Sequence, residues 1–133
     1  MATRALIIEF KLQQITEGEV QILSFSGYMG NPEFSQDRVL SRLLEQERDR
    51  VILDLTTLSF TTTVSLARFL VCGCEFRQHG GELKLAGLSP WLGRLAEMAG
   101  FDSEKDCEPD VATALKKMSQ LPNVKPRRLP NKK

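Results

Sequence analysis

The chain has 133 residues, 41% hydrophobic and 26% charged, the balance of one globular domain with no room for two. Eighteen bases against seventeen acids give a net charge of +1. Five of those bases (Lys125, Arg127, Arg128, Lys132 and Lys133) lie in the segment 122–133, which holds no acid, so positions 1–121 carry 13 bases and 17 acids. An acidic body has no electrostatic footprint for nucleic acid.

No eighteen apolar residues run together, and Met1-Ala2-Thr3-Arg4-Ala5-Leu6 lacks the apolar run of a signal peptide. A cytoplasmic chain without membrane insertion is expected. The cysteines number three, and a helix would set Cys72 and Cys74 about 200° apart around its axis. With one histidine and no fourth ligand, reduced thiols are expected rather than a metal site.

Ala5 to Leu12 alternates apolar and polar residues and predicts a strand. A turn at Thr16-Glu17-Gly18-Glu19 leads to a second strand, Val20 to Gly27, and the short connection makes the two a hairpin. Asn31-Pro32 starts a helix that runs to about Glu47, with Leu40, Leu43 and Leu44 on its apolar face. Val51-Ile52-Leu53 within Arg50–Leu55 is a continuous apolar run, the mark of a central strand covered on both faces.

Thr56 to Ser65 reads as a loop in which seven of ten residues bear a hydroxyl. Helical spacing starts near Val64 and runs through Leu66, Leu70 and Phe76 to a stop at His79-Gly80-Gly81. Glu82 to Ala86 is a strand, and Ser89-Pro90 opens a short helix with Trp91 as a packing anchor, closed by Gly100. Lys105 to Cys107 marks a last edge strand, and Glu108-Pro109-Asp110 opens a final helix. The segment 122–133, with three prolines among its charges, reads as a disordered tail that the fold does not need. The order β-β-α-β-α-β-α-β-α predicts one α/β domain over residues 1–121, with a mixed, mostly parallel sheet of four to five strands and about four helices.

Catalytic patterns are absent. There is no phosphate-binding glycine loop and no nucleophile elbow, and His79 is best read as a helix cap. The alternating acids Asp102, Glu104, Asp106, Glu108 and Asp110 lack a calcium-loop pattern and read as a solvated edge. The chain is therefore expected to be no enzyme and to carry no cofactor.

Three stretches carry a resemblance: Val51-Ile52-Leu53-Asp54-Leu55 running into Thr61-Thr62-Thr63-Val64-Ser65-Leu66-Ala67; Gly80-Gly81-Glu82-Leu83-Lys84-Leu85; and Leu95-Ala96-Glu97-Met98-Ala99-Gly100-Phe101. Together they resemble the STAS domain of bacterial anti-sigma factor antagonists and their stress-signalling relatives, over about 115 residues. The family pattern Asp-Ser-Ser-Gly-Leu-Gly falls on Thr62 to Ala67, so its aspartate has become Thr62 and its glycines Ser65 and Ala67. The resemblance implies phosphorylation at Thr63 and a partner-binding loop of Thr61, Thr62, Thr63, Val64 and Ser65. It also implies a serine/threonine kinase, an anti-sigma factor or other STAS proteins as partners. The alternative is a constitutive scaffold subunit of a stress-signalling or transporter complex, built on the same fold and not phosphorylated. A phosphate at a helix N-terminus is favoured by the helix dipole and would change the charge of a docking rim by about −1.5 to −2.

Overall fold

The computed structural model describes residues 10–29, 34–48 and 50–120. Five strands, β1 (Phe10–Glu17), β2 (Val20–Met29), β3 (Arg50–Thr61), β4 (Glu82–Ala86) and β5 (Cys107–Glu108), form one sheet in sequence order. Four helices connect or follow them: α1 (Phe34–Glu45), α2 (Thr63–Gln78), α3 (Pro90–Ala99) and α4 (Val111–Ser119). β1 is antiparallel to β2, and every other pairing is parallel. All the helices after β3 therefore start at the same end of the sheet, where the parallel strands finish.

The two sheet faces are covered unequally. Leu23, Phe25, Leu53 and Leu85 point at one face, packed under Leu40 of α1, Phe69 and Phe76 of α2 and Leu92 of α3. The opposite face buries Val20, Ile22, Ile52 and Ala86 under Ala114 and Met118 of α4. Each such aliphatic side chain contributes about 1.5–3 kcal/mol when fully buried.

Two elements differ from the sequence reading. The first strand continues to Glu17, past its expected end at Leu12, while its expected first residues, Ala5 to Glu9, lie outside the described residues. Thr16 and Glu17, expected in the turn, are paired with Gln21 and Val20, leaving Gly18 and Glu19 as a two-residue turn with Gly18 at φ 63°. Hydrophobic alternation misses this strand because it is an exposed edge held by polar contacts. Gln14 Nε2 and Thr16 Oγ1 both donate to Gln21 Oε1, at 2.9 and 3.0 Å.

The second difference matters for function. β3 continues through the expected hydroxyl-rich loop as far as Thr61. Threonine is β-branched and suits a strand, and the long β2 supplies a partner throughout, with register shifts between Ser24 and Ser26 and between Gly27 and Tyr28. β4 stops pairing at Asp54–Ala86, so only β2 accompanies the last part of β3. The proposed helix start at Asn31-Pro32 and the segment 122–133 lie outside the described residues.

Candidate functional site

The site grows from the end of β3. Thr61 is in register with Met29, and both are buried on the helix-covered side. One residue later the chain turns into α2, and Thr62 is its N-cap: Thr62 Oγ1 accepts a hydrogen bond from the Ser65 backbone N–H at 3.2 Å. Ser65 is fully buried, 3.4 Å from the Thr62 hydroxyl. Thr63 is the first helical residue and is half-buried, while Val64 is 59% exposed. The loop thus separates its hydroxyls by task. Thr62 caps, Thr61 and Ser65 are inside, and no hydrogen bond holds the Thr63 hydroxyl among the described residues.

Adjacent threonines should respond to substitution with opposite signs. Thr61 Oγ1 is buried with no hydrogen-bond partner among the described residues, a burden of about 1–3 kcal/mol. Thr61→Val removes that hydroxyl without changing the shape and should raise the melting temperature. Thr62→Ala removes a cap worth about 1 kcal/mol and should lower it. Thermal unfolding of the two variants beside the wild type checks both signs.

Beside this loop, three aromatic rings form a ladder. Tyr28 and Phe60, paired across β2 and β3, stack with centroids 5.2 Å apart and planes 23° apart. Phe60 stacks in turn on Trp91 in the first turn of α3, at 5.8 Å and 25°. The outer rings are open: Tyr28 is 49% and Trp91 40% exposed. Trp91 packs on Phe60, as expected of an anchor, while leaving part of its ring open. Tyr28 escapes sequence reasoning altogether; its one signal is that the chain's single tyrosine falls at the very end of a strand.

In the acidic segment after α3, Asp102, Glu104 and Asp110 are exposed, as expected of a solvated edge, while Asp106 and Glu108 are drawn into the fold. Asp102 Oδ1 accepts from the Glu104 and Lys105 backbone N–H groups, which hold its carboxyl below the usual range. Asp106 pairs with Arg77 at 3.2 Å, and Asp110 caps α4 by accepting from Thr113 N. Glu108 is buried under α4, with Lys84 at 3.4 Å and Lys117 at 3.1 Å. Beside it the Cys107 thiol is pushed up to about 11, first by burial and then by the Asp106 and Glu97 carboxylates, so it stays neutral at ordinary pH. Cys72 is half-buried and Cys74 exposed. His79 is the C-cap of α2, with Nδ1 2.9 Å from the Glu75 carbonyl. Among the described residues no group of three or more His, Cys, Asp or Glu side chains is placed to hold a metal ion. None of the described helices is long and apolar enough to cross a membrane.

The chain matches the STAS domain family model over residues 14–114, from the first hairpin into α4. It belongs to the STAS domain family. No curated protein matches it by sequence. Among solved structures, this STAS domain is similar to an anti-sigma factor antagonist from Mycobacterium paratuberculosis, with a TM-score of 0.71 and 15% identity over 84% of this chain and 95% of that one. It is similar to the Bacillus cell fate determinant SpoIIAA in its phosphorylated form, with a TM-score of 0.63 and 18% identity over 82% and 98%. The fold also appears within the murine Solute Carrier 26 family member A9 anion transporter, with a TM-score of 0.57 and 13% identity over 76% of this chain and 18% of that one. At these identities the likeness is one of fold. The expected α/β architecture, a mixed, mostly parallel sheet of four to five strands with about four helices, is met by five strands and four helices among the described residues.

Proposed function

We propose that this STAS domain is a regulated docking module of the anti-sigma factor antagonist type. In this reading it binds a serine/threonine kinase or an anti-sigma factor through the surface formed by the end of β3 and the start of α2. Thr63 is the phosphorylated residue. The observation that carries this is the division of labour among the hydroxyls. The cap is supplied by Thr62, so Thr63 has a hydroxyl that the fold does not use, at the helix N-terminus where a phosphate is electrostatically favoured. The likeness to an anti-sigma factor antagonist and to SpoIIAA in its phosphorylated form supports the reading.

Incubation with the cognate kinase and ATP, followed by intact mass and peptide mapping, should place one phosphate on Thr63. Thr63→Glu should weaken partner binding at least severalfold with an unchanged circular dichroism spectrum. Thr63→Ala should bind normally and resist phosphorylation. Because Thr62 is the cap, Thr63→Ala should cost little stability.

One observation favours a second reading. Thr61 and Ser65 are buried and Thr62 is engaged as the helix cap, which suits a constitutive scaffold subunit with no switch. Equal partner binding by wild type and Thr63→Glu, with no phosphate acquired, selects that reading.

A further inference from the structure

The two edges of the sheet are unlike. β5 offers two residues and runs at once into Pro109, which has no N–H to give. β1 is eight residues long, pairs with β2 without a register shift, and has no strand beyond it among the described residues. Every residue from Gln13 to Glu17 is exposed. A long, regular edge is a template for another strand, and proteins blunt such edges with a proline, a bulge or a charge at mid-strand. β1 has none of these, since Leu12 to Thr16 carry no charge.

The hairpin decides which backbone groups of this edge face outward. Its two-residue turn makes Glu17 and Val20 a hydrogen-bonded pair, and bonded and unbonded pairs alternate from there. Glu17, Ile15, Gln13 and Lys11 therefore spend their backbone N–H and C=O groups on β2. Those of Thr16, Gln14, Leu12 and Phe10 point away from it. A strand added antiparallel by a twofold axis must set outward residues opposite outward residues. Lys11 and Glu17 stand near opposite ends of β1, an even number of residues apart, so such an axis can bring their positions face to face.

We infer that β1 is the pairing edge for a second copy of this chain, antiparallel across a twofold axis at Gln14. In that register Gln14 exchanges two backbone hydrogen bonds with its counterpart, and Leu12 and Thr16 exchange two more on either side. Lys11 then faces Glu17 at both ends of the new ribbon. Opposite charges across an antiparallel pair stabilise it, and like charges directly opposite destabilise it. Moving the axis to Gln13 sets Glu17 against Glu9, and moving it to Ile15 carries Lys11 past the strand to Glu19 in the turn. With the axis at Gln14, Glu9 and Glu19 both lie beyond the ends of β1. The strand is thus complementary to itself, which a twofold contact requires. Two five-stranded sheets become one continuous sheet, and β2 stands between the new seam and β3, so each copy keeps its own Thr63 surface.

A single strand pair buries less than a standard interface, so the dimer should be weak, with a dissociation constant on the order of 10–100 µM. Sedimentation equilibrium of the full chain between about 1 µM and about 1 mM should follow its formation. Gln14→Pro removes an outward N–H that β2 does not use, and should leave a folded monomer at every concentration. It also gives up the side-chain bond to Gln21, which Thr16 still holds, so dilute melting should fall only slightly. Lys11→Glu and Glu17→Lys should each weaken association about fivefold by setting like charges opposite each other. The double variant Lys11→Glu/Glu17→Lys should restore wild-type association, and the two single variants, once mixed, should pair with each other more tightly than with themselves. If Gln14→Pro unfolds, the charge variants alone decide. A wild type that stays monomeric at about 1 mM, association indifferent to Gln14→Pro, or a double variant as weak as the singles overturns the inference. The amides of Leu12, Gln14 and Thr16 should exchange quickly in dilute solution and slowly in concentrated solution. Protection that persists in the dilute monomer would mean that another part of the chain covers the edge, and would overturn it too. No kinase enters these measurements, so the Thr63 assay stands or falls by itself.

Discussion

Glu108→Ala should cost the domain about 3 kcal/mol, one of the largest losses available from a single charged residue here. Glu108 is the last residue of β5, in register with Ala86, and lies on the sheet face that α4 covers. Its side chain is 3% exposed, and it is held between Lys84 of β4 and Lys117 of α4. Lys117 is largely in solvent and loses little when its partner goes. Lys84 is nearly as buried as Glu108 and would keep only the Lys105 carbonyl, to which its ammonium donates at 2.6 Å. The cost is therefore that of a stranded buried cation rather than of a lost attraction. A Lys84→Met/Glu108→Leu double variant should recover most of the loss, because it removes both charges and keeps the volume. Urea unfolding of the wild type, the single and the double variant checks this. A single variant within about 1 kcal/mol of wild type would refute it.

Gly87→Ala should be nearly as damaging, about 2–4 kcal/mol, for a reason of shape. Gly87 follows the last residue of β4 with φ at 76°, a region that costs a residue with a side chain about 1–2 kcal/mol. A Cβ there would collide with the Thr56 hydroxyl and lie 3.2 Å from the Thr56 Cα. The hydroxyl cannot simply swing aside, since it donates to Asp54 Oδ1 at 2.6 Å. Thr56→Ala in the Gly87→Ala background should restore only part of the loss, because the backbone contact and the positive φ remain. Melting temperatures of the three proteins read this out, and full restoration would show that only the hydroxyl mattered.

The parts of the fold that announced themselves in sequence are those where composition and burial agree. Val51-Ile52-Leu53 is apolar on both sides because helices cover both faces of β3 there, and Ser89-Pro90 caps α3 as its residue types demand. The end of β3 did not announce itself. A run of threonines and serines has the composition of a loop, and only the long partner strand β2 turns it into a strand. The fold's hydroxyl at Thr62 was legible as one of several candidates for a cap, but which threonine caps depends on where β3 ends. Glu108 looked like one acid in an alternating series. What distinguishes it is Lys84 and Lys117, one from another strand and one from the following helix, and no local pattern reports that. The aromatic ladder joins residues from β2, β3 and α3, which meet only in three dimensions.

The unequal lengths of β3 and β4 give those rings a mechanical role. Beyond Asp54 the β2–β3 ribbon has no strand on the β4 side among the described residues, so its far end can open without unfolding the rest. The stacking of Phe60 on Trp91 is the clasp that ties this ribbon to α3. Loosening that clasp, as Trp91→Ala would, should free the end of β3 to breathe, and the effect should be read as faster amide exchange of Thr57 to Thr61 with the rest of the sheet unchanged.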